Sequence, residues 1–211
     1  MSEENDRPKT GPDAPHNLQE NARQYFHNAE GFRKNHQERS MRECYEMALD
    51  LGRRSGTPDG LAIASEASLY LGHIYKTRSA WDMALERYEE AFDLGRESGT
   101  QDGFYAAARA AWNLGNTREE AGMDGLEAAF RDAIEMGRKS NIPDGLEVGA
   151  KAAFNLAVNL YPDDEAVNID IREQIVEVWR EAIDLGNKSG TADGKEVATK
   201  AAKYLEELLK A

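Results

Sequence analysis

Hydrophobic and small side chains recur along this chain three and four residues apart, which is the spacing of one face of an α-helix. Two consecutive segments show the pattern well. In the first segment the repeated positions are Leu61, Ala64, Ser68, Leu71 and Tyr75, and in the second they are Trp81, Ala84, Tyr88, Ala91 and Leu94. The pattern predicts two amphipathic helices in succession, with a break near Ser79.

The same pair of helices recurs along the sequence. Four segments share a core and begin 43, 42 and 49 residues apart, at Ala48, Ala91, Ala133 and Ala182: ALDLGRRSGTPDG, AFDLGRESGTQDG, AIEMGRKSNIPDG and AIDLGNKSGTADG. A second recurring stretch follows each of them, at 67–75, 110–118, 152–160 and 201–209. Self-similarity at a period of this size indicates an array of supersecondary units. The sequence therefore predicts an all-α protein built of tandem helix pairs.

Helix boundaries are marked at the same place in each unit. Thr57-Pro58-Asp59 provides a capping hydroxyl, a proline suited to the first turn, and an acid beside the positive end of the helix. The residues expected to open the equivalent helices are Thr100, Asn141 and Thr191. The residues expected to end the preceding helices in the left-handed conformation are Gly56, Gly99 and Gly190.

Glycine also recurs inside the predicted helices, where it costs roughly 1 kcal/mol relative to alanine. The recurring positions are Gly52, Gly95, Gly137 and Gly186. A cost accepted in four units indicates a shared requirement, which we interpret as close approach of two helices. The small residues expected to serve the same purpose on the partner helix are Ala29, Gly72, Gly115 and Ala157.

The ends of the chain differ from its middle. Residues 1–17 contain three of the six prolines among charged and small residues, which predicts a disordered tail. The longer third spacing predicts an insertion at 161–170. The array is expected at 18–211, with units at about 18–56, 57–99, 100–140 and 141–190 and a capping helix at 191–211.

A family resemblance is carried by Leu71, Gly72, Tyr75, Ala84, Tyr88 and Ala91, and by Ala111, Leu114, Gly115, Phe130 and Ala133 in the next unit. These residues resemble the tetratricopeptide repeat (TPR), in the long-period variety of kinesin light chains and Pins-type adaptors. The sequence departs from the pattern at Arg118, Leu126 and Ile175, and its period exceeds the standard of about 34 residues. The resemblance implies a right-handed α-α superhelical solenoid of about four helix pairs plus a C-terminal capping helix. Such repeats are mostly scaffolds or adaptors that bind proteins or peptides.

Charge and composition narrow the class of partner. The chain carries 26 Lys and Arg against 39 Asp and Glu, a net charge of −13. This acidic balance argues against nucleic-acid binding and against broad docking on anionic lipid. The single cysteine, Cys44, excludes an internal disulfide. No apolar run approaches the ~18 residues of a membrane span, and the first residues lack the apolar core of a signal peptide, so we expect a cytoplasmic protein.

No arrangement typical of catalysis or cofactor binding occurs in the sequence. The four histidines (His16, His27, His36 and His73) are scattered without metal-ligand spacing. The Asp-Gly steps lack the clustered acids of a calcium loop, and a role as helix-start acids explains them. We therefore predict a protein without cofactor, without metal and without enzymatic activity.

By the resemblance, the first helix of each pair lines a concave groove. The predicted apolar stripe of this groove is Phe26, Leu69, Trp112 and Phe154, and the predicted basic stripe is Arg23, Arg109, Lys151 and Lys200, interrupted by Glu66. His73 and Asn116 are expected on the same face. The amides of Asn113 and Asn155 both donate and accept, and are expected to hold the backbone of a bound peptide. The predicted ligand is a peptide segment or helix of a partner protein with acidic and apolar residues.

Two alternatives remain open from the sequence. The aromatic residues Trp112 and Phe154 could instead be packed between neighbouring units, with the cations paired to Glu66, Glu119 or Glu147. The protein could also be a scaffold that self-associates through its end helices or its convex surface, with no peptide ligand. In that case the acidic tail at 1–17 could itself occupy the groove.

Overall fold

The computed structural model describes residues 14–161 and 169–210, and every regular element in these residues is an α-helix. The helices are α1 (Pro15–Lys34), α2 (Glu38–Ser55), α3 (Pro58–Thr77), α4 (Trp81–Ser98), α5 (Gln101–Ala121), α6 (Leu126–Ser140), α7 (Pro143–Leu160), α8 (Ile169–Ser189) and α9 (Ala192–Lys210). We call the odd-numbered helices first helices and the even-numbered ones second helices. The prediction of an all-α protein is confirmed.

The helices belong to two compact units, unit 1 (Met1–Gly103) and unit 2 (Phe104–Ala211). In unit 1, α1 packs on α2, α2 on α3, α3 on α4, and α1 also contacts α3. In unit 2, α6 packs on α7, α7 on α8, α8 on α9, and α7 also contacts α9. Within each unit a helix therefore packs on its neighbours in the chain, as consecutive helix pairs of an array do.

Each second helix buries one large aromatic side chain at the same repeat position. These residues are Tyr45, Tyr88, Phe130 and Trp179, and all of them are fully buried. Gly72 lies under the Tyr88 ring and Gly115 under the Phe130 ring, where an added Cβ would stand 2.5 Å from a ring carbon in both cases. These two glycines thus make room for an aromatic ring of the following helix, rather than for another glycine.

Glycines inside the second helices permit close approach to the next first helix, which confirms the prediction of close helix packing. A Cβ on Gly52 would lie 2.5 Å from the carbonyl oxygen of Gly60 and 3.0 Å from the Cβ of Ala64. A Cβ on Gly137 would lie 2.6 Å from the carbonyl oxygen of Gly145. The contact partner is the beginning of the next helix, and this corrects the expected pairing with Gly72, Gly115, Ala29 and Ala157.

A recurring hydrogen-bond cluster joins three of the second helices to the next first helix. At the α8–α9 turn, the Ser189 hydroxyl donates to the carbonyl oxygen of Gly186 (2.8 Å) and accepts from the Thr191 amide (3.4 Å). The Thr191 hydroxyl then caps α9 by accepting from the Gly194 amide at 3.0 Å. The same bonds occur at Ser55–Thr57 and at Ser98–Thr100, so the shared Ser-Gly-Thr-x-Asp-Gly segment specifies one turn structure.

The α6–α7 turn departs from this scheme, and the expectation that Asn141 opens a helix is wrong. Asn141 ends α6 in the left-handed conformation, with φ 52° and ψ 28°, where the other turns have glycine. Asparagine tolerates this conformation better than most residues because its short polar side chain can bond locally. Ile142 then takes the capping position and provides no side-chain cap for α7.

Helix α1 begins at Pro15, three residues before the expected start of the array at residue 18. Ala14 is extended and Pro15 occupies the first turn, where a missing N–H is not needed. Leu18 and Ala22 are already buried, which gives the first two turns of α1 a packing role. Most of the predicted tail and most of the predicted insertion (residues 1–13 and 162–168) lie outside the described residues.

We expect Thr191→Val to lower the free energy of unfolding by about 1 kcal/mol, because valine keeps the shape of threonine but leaves the Gly194 amide without its acceptor. The matched control is Thr199→Val, an exposed position on the same helix whose hydroxyl bonds only to the preceding turn. It is expected to change stability by less than about 0.5 kcal/mol. Urea denaturation followed by circular dichroism measures both, and equal effects would contradict the capping role.

Candidate functional site

Three aromatic side chains from three helices of unit 2 meet on the side of the first helices. Phe154 of α7 meets Trp179 of α8 edge to face at 5.0 Å between ring centres. Tyr204 of α9 is stacked on Trp179, with 5.3 Å between ring centres and the two rings nearly parallel (5°). The ring centres of Phe154 and Tyr204 are 5.9 Å apart. Trp179 is buried, Phe154 is half-buried and Tyr204 remains 48% exposed. The cluster therefore joins the hydrophobic core to the surface.

Side-chain amides lie beside this aromatic cluster. Asn155 donates from Nδ2 to Oδ1 of Asn116 (2.8 Å), which links α7 to α5. Asn159, one turn further, donates to Glu119 at 3.1 Å. Asn113 donates to the carbonyl oxygen of Arg109 on its own helix at 2.7 Å. The structure therefore brings Asn116 and Asn155 together, while the Asn113 donor is used within α5.

The cations of the predicted basic stripe are engaged in local interactions. Lys151 pairs with Glu147 at 2.6 Å and with Asp193 at 3.2 Å. Burial alone lowers the pKa of Lys151, but its hydrogen bonds to these two carboxylates outweigh that effect and raise the pKa above its ordinary value. Lys200 pairs with Glu196 at 2.6 Å, and the Arg109 guanidinium lies 5.4 Å from the centre of the Tyr105 ring. Paired in this way, the two lysines provide no surplus positive charge.

The structure corrects the apolar stripe at one position. Leu69 is fully buried and therefore cannot contact a ligand. Trp112, at the equivalent position of α5, is half-buried, and its indole nitrogen is buried without a hydrogen-bond partner. Phe154, at the same position of α7, is half-buried within the aromatic cluster. A repeat position thus does not have the same exposure in every helix pair.

Unit 1 contains a second aromatic cluster at the corresponding repeat positions. Phe26 of α1 meets Tyr45 of α2 at 5.6 Å, and Tyr70 of α3 is stacked on Tyr45 at 5.2 Å with an angle of 8°. His73 stands edge to face with Tyr70 at 6.0 Å, and its Nδ1 is 3.0 Å from the Tyr88 hydroxyl. Of the residues predicted for unit 1, Phe26 and His73 therefore lie in one cluster and Leu69 lies in the core.

Sequence reasoning missed four residues of these clusters, namely Tyr45, Tyr70, Trp179 and Tyr204. A signal for them was present in the repeats. Tyr70 and Tyr204 occupy the same position of their first helices, and Tyr45 and Trp179 the same position of their second helices. The residue pattern of one helix does not indicate that these side chains meet, because each cluster combines residues from three helices.

A groove of about 690 Å³ in unit 1 is lined by residues of α2, α3 and α4. Its walls are largely ion-paired: Arg53 and Arg87 both bind Glu90, at 2.6 and 2.5 Å, and Arg54 binds Asp50 at 3.2 Å. The charged groups of this groove are thus satisfied by one another, and it offers no comparable aromatic surface.

The described residues contain neither a metal-binding cluster nor a membrane-spanning helix. No group of three or more His, Cys, Asp or Glu side chains in residues 14–161 and 169–210 could hold a metal ion. In the same part of the chain, no helix combines the length and apolar character needed to cross a membrane.

These observations define a helical-repeat protein. No protein-family model matches the chain, and no curated protein matches it, so the tetratricopeptide assignment stays a prediction. The fold is similar to that of BtubC (BKLC) from P. vanneervenii, with 16% identity, a TM-score of 0.50, and coverage of 93% of this chain and 82% of that chain. Two further solved structures are similar at lower TM-scores. The de novo designed helical repeat protein DHR64 has 19% identity and a TM-score of 0.38, and the match covers 93% of this chain and 96% of that chain. The DHF46 filament has 22% identity and a TM-score of 0.29, and the match covers 92% of this chain and 96% of that chain. At these identities the likeness concerns the fold alone.

Proposed function

We propose that this chain is a protein-interaction scaffold that binds a peptide segment or helix of a partner protein on unit 2. The proposed binding surface, which we call the α7/α9 surface, consists of Lys151, Phe154, Asn155, Val158, Tyr161 and Tyr204. The observation that carries the proposal is the stacked but half-exposed Tyr204. An aromatic side chain fixed by Trp179 and Phe154 offers a large contact area with little conformational entropy left to lose.

Polar groups beside the aromatic side chains support the same function. The bond between the two amides uses the Nδ2 of Asn155 as donor and the Oδ1 of Asn116 as acceptor, which leaves the Nδ2 of Asn116 and the Oδ1 of Asn155 for a peptide backbone. Hydrogen bonds beside an apolar anchor are the usual composition of a protein interface. The proposal therefore rests on the aromatic side chains and the Asn116–Asn155 pair, and less on the lysines of the predicted basic stripe.

Two observations favour a binding scaffold over the other functions considered. Most outward positions of α9, including Lys195, Thr199, Lys203 and Glu206, are exposed and polar, with Leu209 an exposed exception, as expected of a capping helix rather than of a self-association surface. The helical-repeat fold supports a scaffold role, in which aromatic and amide side chains are presented for contact with a partner.

Selection of a displayed random peptide library on the purified full chain tests this function. We expect enriched peptides to bind the wild-type protein in calorimetry. The Tyr204→Ala variant is expected to bind them at least about tenfold more weakly, because a central aromatic contact contributes about 2 kcal/mol. The matched control is Met83→Ala, which removes a similarly exposed apolar side chain (47%) on α4 of unit 1. Failure to enrich any peptide, or equal weakening by the two variants, would count against the proposal.

A further inference from the structure

The two aromatic clusters are copies of one arrangement. The sequence register aligns α1 with α7 and aligns α2 and α3 with α8 and α9, so that Phe26, Tyr45 and Tyr70 correspond to Phe154, Trp179 and Tyr204. The stacked pairs have nearly the same geometry, at 5.2 Å and 8° in unit 1 and at 5.3 Å and 5° in unit 2. The first-helix phenylalanine stands 5.9 Å from the tyrosine ring in both units. The surroundings of the two copies can therefore be compared position by position.

In unit 1, charged side chains of α1 cover the aromatic cluster. Glu30 accepts a hydrogen bond from the Tyr45 hydroxyl and pairs with Arg33 at 2.5 Å. The Arg33 guanidinium lies over the Tyr70 ring, 5.1 Å from its centre. The protein thus supplies its own cation to this tyrosine, with a carboxylate beside it.

Among the described residues of unit 2, no charged pair covers the cluster in this way. The register places Val158 and Tyr161 where α1 has Glu30 and Arg33, and these two side chains are 44% and 47% exposed. A cavity of about 290 Å³ opens here, lined by Val158, Tyr161, Trp179, Tyr204, Glu207 and Leu208. Trp179 covers one face of the Tyr204 ring, so the exposed area of that ring belongs to its opposite face and its edge.

The cavity has its own carboxylate. Glu207 of α9 is part of the lining, and its nearest cation, the exposed Lys203, stands 3.9 Å away, at the limit of an ion pair. The lining therefore offers what surrounds Arg33 in unit 1, namely a tyrosine ring held by stacking and a carboxylate, together with the apolar side chains of Val158 and Leu208.

We propose that this cavity binds an arginine side chain of the partner peptide, with the guanidinium against Tyr204 and paired to Glu207. A guanidinium is planar and weakly hydrated, and it stacks on an aromatic ring while donating to a carboxylate, whereas a lysine ammonium is a strongly hydrated point charge. The methylenes of the arginine would pack on Val158 and Tyr161. This inference rests on the proposed peptide-binding function and names the side chain that the α7/α9 surface selects.

The test uses the peptides enriched by the display experiment on the full chain. We expect an arginine at one fixed position of these peptides. Replacing that arginine by citrulline, which keeps the shape and removes the charge, is expected to weaken binding about tenfold in calorimetry. Lysine at the same position is expected to weaken binding less than citrulline does, and glutamate more.

Two variants of the protein locate the contact. Val158→Glu combined with Tyr161→Arg places the two covering residue types of α1 at the equivalent sequence positions of unit 2, Tyr161 being the residue that follows α7. This variant is expected to bind the arginine peptide at least tenfold more weakly. Because both positions are exposed, the thermal midpoint should stay within a few degrees of the wild type. Glu207→Gln is expected to lower the affinity for the arginine peptide and to leave the affinity for the citrulline peptide unchanged.

Each outcome decides between the two proposals. Enriched peptides without an arginine, or with a carboxylate at the fixed position, would overturn the arginine inference and leave the peptide-binding function standing. Arginine peptides that bind the Val158→Glu/Tyr161→Arg variant as tightly as the wild type would place the cation elsewhere, which also overturns the inference. Failure to enrich any peptide overturns both.

Discussion

Trp179→Ala is expected to lower the free energy of unfolding by about 3 to 5 kcal/mol. Trp179 is the largest of the fully buried side chains, and its ring is in contact with both Phe154 and Tyr204. Its removal would leave a cavity and two aromatic rings without their common neighbour, since close-packed surroundings relax only partly. Denaturant unfolding measures the loss, and the near-ultraviolet circular dichroism of the aromatic side chains should fall with it.

The matched control is Trp179→Phe. The indole nitrogen of Trp179 is buried without a hydrogen-bond partner, so phenylalanine removes an unsatisfied donor while keeping most of the apolar area. We expect a loss of less than about 1.5 kcal/mol for this change. Losses of similar size in the two variants would show that the aromatic packing of unit 2 is not what Trp179 contributes.

Gly52→Ala is expected to lower the free energy of unfolding by about 2 to 3 kcal/mol, although alanine favours helix. The added Cβ would lie 2.5 Å from the backbone oxygen of Gly60 and 3.0 Å from the Cβ of Ala64. Backbone cannot rotate away as a flexible side chain does, so α2 and α3 must separate and lose packing along their contact. Urea unfolding followed by far-ultraviolet circular dichroism measures the change.

Gly31→Ala is the control for this prediction because it makes the same substitution in α1. A Cβ on Gly31 meets nothing within 4 Å, and the position is exposed. Alanine there is expected to raise the free energy of unfolding by up to about 1 kcal/mol through helix propensity alone. A stabilising Gly52→Ala would contradict the close approach of α2 and α3.

The recurring glycines predicted a close helix contact but not its partner. Recurrence of Gly52 and Gly137 in helices predicted a tight helix contact, and the structure confirms it. The partner of that contact was predicted wrongly, because a repeat pattern aligns positions between units and gives no distance between two helices. Gly72 and Gly115 instead lie under the rings of Tyr88 and Phe130.

Repeat positions predicted only part of the candidate site. Phe154 and Asn155 were named from their repeat positions, and they lie on the α7/α9 surface. Leu69 was named by the same rule but is fully buried. Exposure depends on which side chains the neighbouring helices place beside a position, and periodicity within one helix does not contain that information.

The basic stripe illustrates a second limit. Lys151 and Lys200 share a repeat position, which made them a candidate surface for acidic peptides. The structure pairs each lysine with a carboxylate one turn earlier on its own helix, and Lys151 also with Asp193 of α9. The one-turn pairs were visible in the sequence as acid and lysine four residues apart, whereas the pair to α9 depends on the packing of two helices.

Local chemistry determined the all-α class, the helix pairs and three of the four recurring turns, since apolar spacing, capping hydroxyls and left-handed glycines act over a few residues. The sequence was sufficient for these features. Only the tertiary structure decided which residues meet across helices, namely the aromatic clusters, the cover that Glu30 and Arg33 provide in unit 1, and the open cavity beside Tyr204. These contacts join residues that are far apart in the chain, and their distances are fixed by how the helices pack.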